Sequence, residues 1–208
     1  MARHTVAVAP TSPTPGSDAL RAIAWERALH TSGTAYIFNV RGRRLRRKMT
    51  RLTFAGIAIP AVVGAIAAAG IPVPRLLPIA LVVAAILGIV QLAASIWALA
   101  ADWSGSFAQA TQSMTANQQL TDAYKRLAEN PPSDLAQFER ELELIRAQDE
   151  AQKSRDQAEQ VEDDEMRMGL RAALRERGKA CVACNVVPTS MKPTNCEVCG
   201  DFPKRWVK

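Results

Sequence analysis

The sequence predicts an all-α membrane protein: a two-helix transmembrane hairpin with cytoplasmic helices and a small C-terminal knuckle or ribbon. Three observations lead there. Residues 52–101 carry a single charge, Arg75, in a chain of 208 residues that holds 26 Lys/Arg and 20 Asp/Glu. Seven of those cations crowd into positions 41–51, directly ahead of the uncharged block. All four cysteines lie between positions 181 and 199.

Residues 1–17 are rich in Pro, Thr and Ser, lack an apolar period, and read as a disordered tail. Residues 18–51 read as basic amphipathic lead-in helices. The first carries Leu20, Ile23, Trp25 and Leu29, and Thr31-Ser32-Gly33 is expected to break it. The second carries Tyr36, Ile37, Val40 and Leu45. It then turns basic through Arg41, Arg43, Arg44, Arg46, Arg47, Lys48 and Arg51. Residues 1–51 hold ten Lys/Arg against two acids, and residues 102–208 hold fifteen against eighteen. A pI near 9.5 would suit nucleic acid. The excess cations sit beside an apolar block, however, so anionic lipid head groups are the better match, with Arg43, Arg44, Arg46, Arg47, Lys48 and Arg51 as the contacts.

The hairpin occupies residues 52–101, with spans at 52–71 and 76–101. Twenty helical residues rise about 30 Å, the thickness of a hydrocarbon core. Pro60 falls inside the first span, where a kink is expected. Gly70 to Arg75 form the turn, and Pro78 falls in the first turn of the second span. Trp97 and Trp103 suit interfacial depth. With seven cations before the first span and one in the turn, the N-terminus is expected inside, in the cytoplasm, and two spans return the C-terminus to the same side. Gly56, Pro60, Gly64 and Ala68 recur every four residues on the first span. On the second, Ala84 and Gly88 lead on to Gln91 and Ser95. Small residues so spaced let helices approach closely. This line is the expected membrane or subunit contact, the alternative being packing inside the hairpin with Gln91 bonded to its neighbour.

Residues 102–178 read as a cytoplasmic helical region. One helix runs over 104–129 and stops at Asn130-Pro131-Pro132. Another begins at Ser133 or Asp134, with Asp134 and Gln137 at capping-box spacing. Leu135, Phe138, Leu142 and Ile145 then form a short coiled-coil-like seam that could assist assembly. Continued, that register reaches Asp149, Gln152 and Asp156, so the seam is expected to stop and 146–160 to be solvated or a hinge. Glu162-Asp163-Asp164-Glu165 read as a solvated face. Arg171, Arg175, Arg177 and Lys179 suit the negative end of a helix dipole, and Gly178 a terminator.

The sharpest motif is Cys181-Val182-Ala183-Cys184, eleven residues, then Cys196-Glu197-Val198-Cys199-Gly200, within the module 179–208. Two CxxC pairs bring four soft thiolates to one point, the donor set of a structural Zn²⁺. A redox dithiol pair and an iron–sulfur site are the alternatives. Gly200 is expected to supply a positive φ in its turn. Lys204, Arg205, Trp206 and Lys208 are a weak nucleic-acid or lipid signal. His4 and His30 have no sequence neighbour suited to metal or catalysis. No phosphate loop, nucleophile elbow or dinucleotide fingerprint is present, and nothing in the sequence supports an enzyme.

A basic lead-in, two spans, the stretch Gln91-Leu92-Ala93-Ala94-Ser95-Ile96-Trp97 continuing to Asp102-Trp103, a helical extension and CxxC-x11-CxxC together resemble the mobilome CxxCx(11)CxxC proteins of bacterial mobile elements and defence islands. The lead-in and hairpin are also similar to SLATT domains, two-span modules regarded as pore-forming effectors. The resemblance covers residues ~20–200. It implies an oligomeric inner-membrane effector with a signalling or sensor partner encoded nearby. Function carries over residue by residue only at Cys181, Cys184, Cys196 and Cys199. A membrane-anchored zinc module that tethers a partner is the alternative.

Overall fold

The computed structural model describes residues 15–68 and 77–204. Five helices form there: α1 (Pro15–Ala68), α2 (Leu77–Ala100), α3 (Trp103–Glu129), α4 (Leu135–Gln157) and α5 (Asp163–Arg177). They divide between two compact units, one of residues up to Tyr36 with Thr115 onward, the other Ile37–Met114. The tail at 1–14, the turn at 70–75 with Arg75, and Arg205 to Lys208 lie outside the described residues.

In the first unit, α1 runs unbroken through Thr31-Ser32-Gly33, against expectation. The hydroxyls of Thr31 and Ser32 return to carbonyls of their own helix, Thr31 to Arg27 at 3.1 Å and Ser32 to Leu29 at 2.9 Å, so neither diverts the backbone. Gly33 serves a close approach: a Cβ there would lie 3.1 Å from the carbonyl oxygen of Gly169 on α5. Tertiary packing thus outweighs local propensity.

The apolar core joins α1, α3 and α4. Ala24 and Ala28 meet Tyr124, Leu127, Ala128, Phe138 and Leu142, with Leu20, Trp25 and Ile145 packed at the edge. Phe138, Leu142 and Ile145 of the α4 seam are therefore covered by helices of their own chain, while Leu135 stays exposed. The seam does not stop at Ile145. Asp149, Gln152 and Asp156 continue the same register and are buried. Tyr124 Oη donates to Asp149 Oδ2 at 3.1 Å, with Arg27 Nη1 3.6 Å from the same oxygen. Burial and the Asp149 charge push the Tyr124 hydroxyl well above its ordinary pKa, which keeps it a donor. Asp156 accepts from Asn117 Nδ2 at 2.6 Å and Gln152 Nε2 at 2.7 Å. The Thr31 and Thr121 hydroxyls lie 2.8 Å apart. Polar residues are admitted to the helix interface because each finds a partner there.

The break between α4 and α5 falls at 158–162, with Gln160 left-handed at φ 46°. The acid run that follows is the first turn of α5, where carboxylates complement the dipole. Glu165 is buried, not solvated, and accepts from the Glu162 N–H at 3.3 Å. At α4 the expected pairing is only half realised. Asp134 caps through the Ala136 N–H at 3.1 Å, while Gln137 turns to Glu141. Gly178 ends α5 at φ 60°, as expected.

In the second unit, α2 is long and apolar enough to cross a membrane. Its window Val82–Ala100 has mean hydropathy 2.3 and none of it is buried. Among the described residues it is the one helix that meets that test. Of the other expected span, 52–71, residues 52–68 form the end of α1, which continues through Pro60, and 69–71 lie outside the described residues. Phe54, Ile57 and Val62 are exposed there. α1 and α2 touch where Gln91 Nε2 donates to the Leu52 carbonyl at 3.1 Å, close against Gly56. α1 and α3 approach at Gly42, where a Cβ would meet Ala110 and Phe107 at 4.0 Å.

Candidate functional site

The four cysteines converge. One ligand atom from each of Cys181, Cys184, Cys196 and Cys199 lies within 4.8 Å of every other. The Sγ atoms of Cys184 and Cys199 are 3.9 Å apart. Four thiolates each about 2.3 Å from one tetrahedral ion sit roughly 3.8 Å from each other. The cluster is therefore a possible metal site that an ion could enter with little movement. Such a set leaves no coordination position open, so it suits a structural role rather than hydrolysis.

Each CxxC is closed by the same backbone hydrogen bond. The carbonyl of Cys181 accepts from Asn185 N–H at 2.8 Å, and that of Cys196 from Gly200 N–H at 2.8 Å. The positive φ expected at Gly200 is found instead at Asn185, at 53°. Gly200 is needed for space: a Cβ would collide with the Thr194 side chain and stand 2.8 Å from its carbonyl oxygen. Backbone N–H groups of Cys199 and Val198 point at the Cys196 sulfur and pull its pKa down to about 7. Burial pushes Cys199 the other way. The turns lie on the two CxxC segments, the eleven-residue spacer has no regular structure, and no strand appears among the described residues, so the arrangement is a pair of knuckles rather than a ribbon.

This module does have an apolar footing. Cys181 and Cys199 are buried in a cluster with Leu29 of α1 and Ala173 and Leu174 of α5, against which Leu170 and Cys196 pack. At this site the sequence misassigns Arg171. It does not decorate the helix end. It is buried, and its Nε donates to the Ser190 carbonyl at 2.9 Å and its Nη1 to that of Cys199 at 3.4 Å. Nη1 also lies 4.0 Å from the Cys199 sulfur. A divalent ion with four thiolates carries net negative charge, and a buried guanidinium beside it offsets that charge. The signal was spacing: Met168, Arg171 and Leu174 recur every three residues and all are buried.

The residues expected at the membrane separate into two groups. Ala84 and Gln91 are half-buried, while Gly88 and Ser95 are exposed. Gln91 is bonded within the chain, to Leu52, and Ser95 Oγ donates back to the Gln91 carbonyl at 2.9 Å. A Cβ on Gly88 would meet nothing within 4 Å. Arg43, Arg46, Arg47, Lys48 and Arg51 are exposed and Arg44 is half-buried. Lys48 Nζ sits 5.4 Å above the Trp103 ring, which brings the basic stretch level with the end of α2.

The family model described as mobilome CxxCx(11)CxxC protein matches residues 21–202. No curated protein and no solved structure matches the chain.

Proposed function

Because the chain belongs to the mobilome CxxCx(11)CxxC protein family, we propose that it is a bacterial inner-membrane protein of mobile-element or anti-phage conflict systems. On this reading it is an oligomerising, membrane-disrupting effector with no enzymatic activity, controlled by its cytoplasmic helices and a zinc-bound module. The observation that carries the reading is α2 itself, long and apolar enough to cross a membrane, with none of its Val82–Ala100 window buried. So long an apolar surface is covered by lipid or by other copies of the helix. Residues 52–68, bonded to α2 through Gln91, form the other half of a SLATT-like hairpin. Two helices enclose no lumen, so permeabilisation requires several copies. The open side of α2 at Gly88 and Ser95 is where backbones can approach. Zn²⁺ is the ion because four soft thiolates at tetrahedral spacing select it.

A second reading, a zinc module tethered to the membrane that scaffolds a partner, is favoured by two observations. Gln91 is satisfied inside the chain, which removes one drive to assemble. Val182, Val186, Val187 and Val198 stand exposed on the knuckles, Val182 at 96%, as a contact surface for a partner would.

Topology tests what both readings share. Reporter fusions after residue 50 and after residue 208 should report the cytoplasm, and one inserted at residues 72–74 the outside. An external C-terminus overturns the two-span count and places the thiols in an oxidising space.

A further inference from the structure

The second unit holds a groove of about 460 Å³ between α1 and the start of α3, and its chemistry is graded. Arg46 stands at one end. Thr50 and Thr53 follow, then Phe54 and Ile57, with Phe107 of α3 forming the apolar wall. Positions 46, 50, 53 and 57 fall on one face of α1. Over these eleven residue steps, roughly 16 Å of helix, that face passes from cation to hydroxyl to hydrocarbon. A phospholipid has the same order along its length: phosphate, glycerol esters, acyl chain. A soluble ligand has no reason to match so long a gradient.

Two further observations fix the depth and the sign. Lys48 over the Trp103 ring places a cation and an indole at one level, the pairing that collects at a membrane interface. The polar end of the face, at Arg46, lies within the seven-cation stretch 41–51, so the matching head group is anionic.

We propose that this groove is a binding site for one anionic glycerophospholipid per chain, its phosphate on Arg46 and one acyl chain along Phe54, Ile57 and Phe107. The site rests on the membrane reading above, and it goes further than general head-group contact because it retains a single lipid.

The test uses the full chain reconstituted in vesicles of phosphatidylcholine with a minor fraction of phosphatidylglycerol. The protein is then extracted in neutral detergent and weighed intact by native mass spectrometry. One phosphatidylglycerol per chain should remain bound in preference to phosphatidylcholine. Arg46→Gln should lower that retention about fivefold, one surface cation's share. Arg47→Gln, in the same basic stretch but off that face, should lower it less than twofold. Phe107→Ala should reduce retention of lipids of both head groups. Equal losses for Arg46→Gln and Arg47→Gln, or no retained lipid in a chain that does enter the vesicles, overturn the site while leaving the membrane reading intact. A crosslink from Ile57 to a second copy, with no lipid bound, also overturns it. Failure to enter vesicles at all overturns the membrane reading itself.

Discussion

Removing the metal is expected to unfold residues 179–204 and to strip α5 of its support. The purified chain should carry one Zn²⁺. Cys199→Ser or Cys181→Ser should release it, with metal content falling from one per chain toward zero. Binding to four-ligand structural sites contributes about 10–16 kcal/mol at neutral pH, as much as the whole stability of many domains. The apolar footing under the knuckles is small: Leu29, Ala173 and Leu174 against two cysteines that are themselves ligands. Without the ion, Cys181 and Cys199 become buried thiols with nothing to coordinate, and Arg171 keeps its burial but loses the charge it faces. Limited proteolysis should then cut between 179 and 204 first, and the damage should spread to α5, whose Gly169 carbonyl rests against Gly33. Full protection after chelation, or visible-absorbing iron in the purified protein, would contradict a structural zinc.

The second large effect is expected at the buried polar layer. Asn117→Leu should destabilise the first unit by about 3 kcal/mol, because it leaves one oxygen of a buried carboxylate without its donor. Asp156 is 5% exposed and receives Asn117 at 2.6 Å and Gln152 at 2.7 Å. For a chain of this size that cost is a fall of roughly 6–12 °C in Tm. Combining Asn117→Leu with Asp156→Leu should recover part of the loss, since deleting both partners costs less than stranding one. If Asn117→Leu melts like the parent chain, the carboxylate is served by water and the layer is not a buried contact.

Some of this molecule is written plainly in its sequence. The cysteine cluster needed only the CxxC spacing, and the paired knuckles follow from it because the turn is local. The ends of α3 at Asn130-Pro131-Pro132 and of α5 at Gly178 are likewise local, set by proline geometry and a left-handed glycine. What sequence misread depends on distant partners. Thr31-Ser32-Gly33 resembles a breaker until Gly169 is placed across from it. Asp149, Gln152 and Asp156 resemble the end of a seam until Tyr124 and Asn117, two dozen or more residues away, supply donors. Arg171 looks like a dipole cation until Ser190 and Cys199 close over it. In each case the residue's own chemistry is ambiguous, and only a partner far along the chain decides it. The seam at Phe138 and Leu142 carries the converse lesson, for an apolar register says that a helix will be covered but not by which chain.

That distinction bears on activity. On the proposed reading, with Phe138, Leu142 and Ile145 occupied internally, assembly would fall to α2, whose open side carries Gly88 and Ser95. The measurement that tests the proposed function most directly is the membrane potential of bacteria expressing the chain, read with a voltage-sensitive dye alongside crosslinking in membranes. Depolarisation on overexpression or on triggering by the neighbouring genes is expected, together with higher-order crosslinks. Gly88→Leu should weaken both without lowering insertion, because a large side chain holds the backbones apart. A chain that stays monomeric in cells that keep their potential under every such trigger would contradict the effector reading and leave the tethered zinc module in its place.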